Sequence, residues 1–174
     1  MKLPKIPKRT TPGFAFPMVD RALSECLSHR QFGPKEIKRA LEFFGQNPPE
    51  CVFCGSKDVK RWDHLVPIKK GGETVLGNMA LTCATCDDSK RDLSYEEWMT
   101  GDSKNSPKSI GIKDIDQRVK RIRAYMQNFN YTPQNLEERL TRQELRRWKE
   151  VNTRLKELRK DISRLISDYK ARRS

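Results

Sequence analysis

The chain has 174 residues, a hydrophobic fraction of 35%, a charged fraction of 34% and a formal net charge of +13. That length suits one domain with appendages, and so lean an apolar content excludes a single large core. No apolar run is long enough to span a membrane, so the basic excess points to a polyanion, nucleic acid before a membrane surface.

Residues 1–17 are rich in Pro, Lys and Thr and read as an extended basic arm or, equally, a tail without a role; Pro4, Pro7, Pro12 and Pro17 oppose regular structure. The opening MKLPKIPKRTTP lacks the apolar core of a signal peptide, which predicts a cytoplasmic protein with reduced thiols, prokaryotic or phage-encoded. Residues 18–48 form a helical region. A short helix is expected from Val19 to Leu27. A clearer one follows Gly33, with Pro34 in its first turn and Ile37, Ala40, Leu41 and Phe44 on one face. Gly45 and Asn47-Pro48-Pro49 end it.

In the block 49–100, Val59 to Ile68 reads as a strand that runs into a loop near Pro67, and Gly71-Gly72 marks a turn. Met79, Ala80 and Leu81 lead to a helix expected near Thr85. Ser94 with Glu97 spells a capping box for a short helix that carries Trp98 and stops at Gly101. Residues 101–113 read as a linker.

Residues 114–174 form a basic helical region. Ile115, Val119, Ile122 and Met126 make one stripe, Thr132-Pro133 a second helix start, and Thr141 with Glu144 either a third start or a mid-helix pair. From Leu145 the positions Trp148, Val151, Leu155, Leu158, Ile162, Leu165 and Tyr169 recur every three or four residues. That predicts a helix of about 30 residues, roughly 45 Å long. The fold class is α+β, mostly helical.

The chemistry concentrates between Cys51 and Lys90. Two Cys-x-x-Cys pairs, Cys51/Cys54 and Cys83/Cys86, bracket Asp63, His64 and Asn78, and the second runs into Asp87. Two such pairs complete a closed tetrahedral zinc site, which neither buried free cysteines nor a redox pair would explain. Cys26 is left over and expected to be a small buried hydrophobe. A closed site has no position for substrate, so catalysis must lie elsewhere. Of the two histidines, His29 sits in a polar stretch and is incidental or phosphate-contacting, whereas His64 is a natural base near neutral pH. Asp63 and Asp87 offer the hard oxygens that a magnesium ion prefers. Adjacent strand residues point to opposite faces, so Asp63 and His64 share a phosphate only if the strand bends there or the metal sits at its edge.

In combination these residues resemble the HNH endonuclease family. The resemblance covers Cys51 to about Leu93 and implies a central ββα-metal core stapled by a four-cysteine zinc site, between N-terminal helices and long C-terminal helices. It implies that Asp63 binds a catalytic Mg2+ or Mn2+, His64 activates water, and Asn78 orients the base and its loop. Asp87 falls on a third position that is usually His or Asn. Lys90 matches a lysine often found in the family, either a phosphate contact or a solvated helix residue. The implied reaction is hydrolysis of DNA to 5′-phosphate and 3′-hydroxyl ends.

Double-stranded DNA is the expected partner. Lys69, Lys70, Lys90, Arg91, Arg118, Arg121, Arg142, Arg146 and Arg147 are candidate contacts. The C-terminal helices could pair two copies into a homodimer or fold back on the monomer. A sequence-specific restriction-type enzyme is the leading reading. A homing, phage or other defence nuclease is the alternative within the family, and a non-catalytic zinc-stapled nucleic-acid-binding module the rival outside it.

Overall fold

The computed structural model describes residues 12–45 and 48–173. The order is α1 (Pro12–Cys26), β1 (Arg30–Gln31), α2 (Pro34–Phe44), β2 (Val59–His64), a 3-10 turn (Ile68–Lys70), β3 (Thr74–Val75), β4 (Met79–Cys83), α3 (Ala84–Lys90), α4 (Tyr95–Thr100), α5 (Ile115–Asn128), α6 (Leu136–Arg139) and α7 (Arg142–Ala171). This is an α+β chain, mostly helical.

The described residues divide into two compact units, one within residues 24–136 and the other of residues 12–23 with 137–173. The break expected between linker and C-terminal helices is therefore not where contacts separate. α5 belongs with the larger unit because Val119, Ile122 and Tyr125 are buried in its core, together with Phe53, Leu65, Trp98 and Met99. The 101–113 segment is not a loose surface linker either, since Ser106 and Pro107 are fully buried.

Most helix signals act as their chemistry dictates. Pro34 opens α2 and Gly45 closes it in the left-handed conformation, at φ 56°. Ser94 and Glu97 cap α4 reciprocally, and Thr141 with Glu144 does the same for α7, so that pair is a true helix start. Three expectations change. α1 begins at Pro12 and carries Pro17 inside it, so the extended arm cannot reach residue 17; the rest of that arm, residues 1–11, lies outside the described residues. Proline suits a first helical position, whereas an interior one loses a backbone hydrogen bond and crowds the carbonyl four residues back, and α1 continues through Pro17 all the same. The helix expected from Thr132-Pro133 begins only at Leu136, because residues 131–135 run as a strap against the loop before β4. A Cβ at Gly71 or Gly77 would collide with Gln134 or Tyr131, so glycine lets the strap approach. Cys26 is exposed at the end of α1 rather than buried.

The larger unit is built around an antiparallel pair, β2 with β4, and α3 follows β4 directly. β1 pairs in parallel with β3, which brings Arg30 opposite Thr74. The strand expected to run into a loop near Pro67 stops at His64, where its ladder partner is Met79.

Candidate active site and zinc staple

Cys51 and Cys54 lie on a turn tied to the sheet by Val52 N–H donating to Leu81 O at 3.1 Å. Cys83 ends β4 and Cys86 sits on α3. The four sulfurs lie within 4.8 Å of one another, the one such group of His, Cys, Asp or Glu ligands among the described residues. Sulfurs around one tetrahedral zinc should stand about 3.8 Å apart at the usual bond length, and Cys54 Sγ to Cys83 Sγ is 3.8 Å. Thiols this crowded perturb one another. Hydrogen bonds from Cys54 and Cys86 pull the Cys51 thiol well down, and the same contacts push Cys54 and Cys86 up. All four can ionise together only around a cation, so the donor set fits structural zinc.

Asp63 and His64 occupy consecutive ladder positions opposite Ala80 and Met79, and the strand's irregularity falls earlier, between Val59 and Arg61. The bend that would turn both side chains to one face is therefore absent at this dipeptide. Asp63 meets α3: its Oδ2 stands 3.0 Å from Lys90 Nζ, and both side chains are largely or wholly excluded from solvent. His64 meets β3: its Nε2 is 2.9 Å from Thr74 Oγ1. Lys90 also donates to the His64 carbonyl at 2.6 Å, so one ammonium holds both members of the dipeptide.

This corrects one expectation. Lys90 is fully buried, so it is neither a phosphate contact nor a solvated lysine. Its stem crosses the interior and its charge is spent on Asp63 and the strand end.

Asn78 is also fully buried and locks the loop between β2 and β4. Its Oδ1 accepts from Val66 N–H at 2.8 Å, while Nδ2 donates to Val66 O at 3.1 Å and Glu73 O at 2.8 Å. Three of its four hydrogen-bonding positions thus bridge the two ends of the loop. The strap adds a further hold, because Glu73 N–H donates to Tyr131 Oη at 3.2 Å. His29, incidental by sequence, accepts from Thr74 N–H through its carbonyl at 3.1 Å and so fixes the residue that meets His64.

Asp87 lies on α3 and is close enough to Asp63 for its charge to act there. Burial pushes the Asp63 carboxyl above the usual range, Lys90 opposes that shift, and Asp87 adds to it. Arg61, two residues before Asp63 and thus on the same strand face, donates Nη1 to Asp87 Oδ2 at 2.7 Å and to Asp88 Oδ1 at 2.5 Å. Asp63 Oδ2 is buried and, despite the ammonium nearby, accepts no hydrogen bond of good geometry. Two hard carboxylates close enough to repel one another are a donor set that a small divalent cation fits.

Sequence reasoning missed Arg61, Thr74 and the buried role of Lys90. Arg61 had a signal in its i, i+2 spacing from Asp63; Thr74 had none, since only the β1–β3 pairing sets it beside His64. The basic candidates divide. Lys69 pairs with Asp92 at 2.8 Å, Lys70 with Glu97 at 2.5 Å and Arg118 with Asp114 at 3.0 Å, while Arg121 donates to Phe44 O and stacks on its ring. Arg91, Arg142, Arg146 and Arg147 are exposed.

The HNH endonuclease family model matches residues 51–93, from the first zinc ligand to the turn after α3. No curated protein and no solved structure matches the chain. Both cysteine pairs, the ββα core and the residues that Lys90 and Asn78 hold in place fall within that stretch, so the similarity to the HNH endonuclease family rests on this central block of the chain.

Proposed function

We propose that this protein is a metal-dependent endonuclease that hydrolyses double-stranded DNA with His64 as general base. The observation that carries the reading is the strand end itself. His64 is the last ladder residue of β2, tied through Nε2 to Thr74 and through its carbonyl to Lys90, directly beside a buried carboxylate. In this reading Thr74 Oγ1 accepts from Nε2–H, which leaves the imidazole lone pair at Nδ1, since the hydrogen bond at one ring nitrogen sets which nitrogen is the base. Because the strand ends there, a phosphate placed across its tip can meet residues from both faces.

In this mechanism His64 takes a proton from water, whose oxygen attacks phosphorus opposite the 3′ oxygen. The phosphorus–3′-oxygen bond breaks, the departing oxygen takes a proton from solvent, and the ends carry 5′-phosphate and 3′-hydroxyl. Asp63 and Asp87 would hold the divalent ion, magnesium or manganese, which when bound stabilises negative charge on the phosphate and the leaving oxygen. Lys90 keeps Asp63 in place, and Asn78 keeps the loop that carries Thr74. Exposed Arg91, Arg142, Arg146 and Arg147 would contribute phosphate contacts, which favour binding without fixing sequence. A sequence-specific, restriction-type role in the cytoplasm is the biological setting proposed.

One observation favours the rival reading, a nucleic-acid-binding module without catalysis: Lys90 and Arg61 already engage the two carboxylates. The test is supercoiled plasmid and phage DNA incubated with zinc-loaded protein plus magnesium, manganese or EDTA, with end sequencing. Discrete metal-dependent fragments are expected. A smear would remove the claim of sequence specificity, and intact DNA with every metal would establish the binding module.

A further inference from the structure

We propose that α7 pairs in antiparallel orientation with α7 of a second copy of this chain, in one register set by charge. The proposal is independent of the catalytic reading.

α7 carries a seven-residue repeat. Trp148, Leu155, Ile162 and Tyr169 form one apolar row, and Val151, Leu158 and Leu165 form the other, with alternating spacings of three and four residues. Nothing in α7 is fully buried within its own chain. Trp148, Leu155 and Ile162 are half-covered, whereas Val151 is 43% exposed, Leu158 50% and Leu165 65%. The second row thus stands open along the helix, far more regularly than scattered surface apolar residues do.

The position before each residue of the first row flanks that open row. It holds, in order, Arg147, Arg154, Asp161 and Asp168, all exposed: two cations, then two anions. Among the described residues, Arg147, Arg154 and Asp168 have no ionic partner, and Asp161 has only Arg164 at 3.9 Å. In an antiparallel pair these flanking positions face their own kind. The register that overlaps the repeats fully seats Leu155 against the partner's Leu158 and Val151 against the partner's Ile162. The same register sets Arg147 against the partner's Asp168 and Arg154 against the partner's Asp161, and two-fold symmetry repeats both pairs. A shift of one repeat either way brings Arg154 against Arg154 or Asp161 against Asp161. A parallel pair instead brings Arg154 against the partner's Arg159. Individual exposed ion pairs are weak, but their signs select among arrangements of equal apolar burial. The occupant that this pattern fits is a second α7, reversed.

Sedimentation equilibrium of the full-length, zinc-loaded protein tests this, with circular dichroism as the check on helix content. The wild type should dimerise, and Leu158→Glu should abolish dimerisation. Arg154→Glu should weaken the dimer by about tenfold, because it replaces two attractive contacts with repulsive ones. The double exchange Arg154→Glu with Asp161→Arg should restore it to within about threefold of wild type. A wild type that stays monomeric at every concentration overturns the proposal, as does an Arg154→Glu variant with unchanged affinity. Tighter association of Arg154→Glu would signal parallel pairing and overturn it too. Because the charge variants alter only exposed side chains, the result stands even if Leu158→Glu unfolds.

Discussion

Lys90 Nζ lies 3.0 Å from Asp63 Oδ2, and the lysine side chain has no solvent exposure at all. A charge so placed persists only because its partner and the His64 carbonyl replace the water it lost. Removing one partner of a buried pair typically costs about 3–5 kcal/mol. Lys90→Met should therefore lower unfolding stability by that order in urea titrations, and the double variant with Asp63→Asn should recover a good part of it. If Lys90→Met is as stable as wild type, the buried pair is not formed.

His64→Ala should lower DNA cleavage by about 10²–10⁴-fold, while electrophoretic mobility shifts show DNA binding unchanged. Thr74→Val keeps the imidazole but removes its Nε2 partner. It should reduce the cleavage rate less than His64→Ala does and leave binding intact. Retained metal-dependent cleavage by a clean, folded His64→Ala preparation would exclude His64 as base.

Asn78→Ala leaves two backbone donor or acceptor groups of Val66 and the Glu73 carbonyl without their side-chain partner. Each unsatisfied buried group costs about 1–3 kcal/mol, so this variant should be among the least stable in the loop. Amide hydrogen exchange should show lost protection at Val66. Unchanged protection there would show that the strap alone holds the loop.

Tyr125 is buried and donates its hydroxyl to Met79 O at 2.9 Å. Burial pushes its pKa up to about 12, from an ordinary 10. A raised folded-state value means the folded protein holds this proton more tightly. The stabilisation is fully present below pH 10 and is lost as pH rises from 10 through 12. Two pKa units correspond to about 2–3 kcal/mol. Tyr125→Phe should be less stable than wild type at pH 8 by about 1 kcal/mol. The gap should close, then reverse, as denaturation is repeated toward pH 12. A gap that stays constant with pH would place the hydroxyl outside the core.

Zinc removal should unfold the larger unit. The cysteines join the first turn to the end of β4 and the start of α3, so they hold the ββα core closed. One equivalent of zinc should be released to a chromogenic chelator together with loss of near-ultraviolet circular dichroism. Cys51→Ser should bind zinc more weakly and melt earlier. A chelated protein with unchanged thermal unfolding would show that the apolar core suffices.

Much of the site was legible from residue type and spacing. Paired cysteines have few other uses, capping boxes act through neighbours three residues apart, and the repeat of α7 survives because helical geometry is local. Such signals need no knowledge of the rest of the chain. The roles of Lys90, Arg61 and Thr74 were not legible in this way. Lys90 lies 27 positions after Asp63, and a lysine on a short helix reads as solvated until α3 is laid across β2. Thr132-Pro133 spells a helix start, because Thr-Pro commonly is one, yet residues 131–135 form the extended strap. The glycines at 71 and 77 and the hydroxyl of Tyr131 outweighed that local preference.

By itself, the sequence determined the ligand chemistry: four thiolates at matching spacing, a carboxylate–imidazole dipeptide, and a helix with a heptad seam. These follow from side-chain type and from periodicities that the backbone imposes locally. The tertiary structure decided which groups meet. It sent Asp63 and His64 to opposite sides of a regular strand, put a buried ammonium beneath both, and brought Thr74 to the imidazole through a two-residue parallel pairing. Those outcomes depend on burial and on long-range contacts, whose free energies exceed any local preference and are set only once the chain has closed on itself.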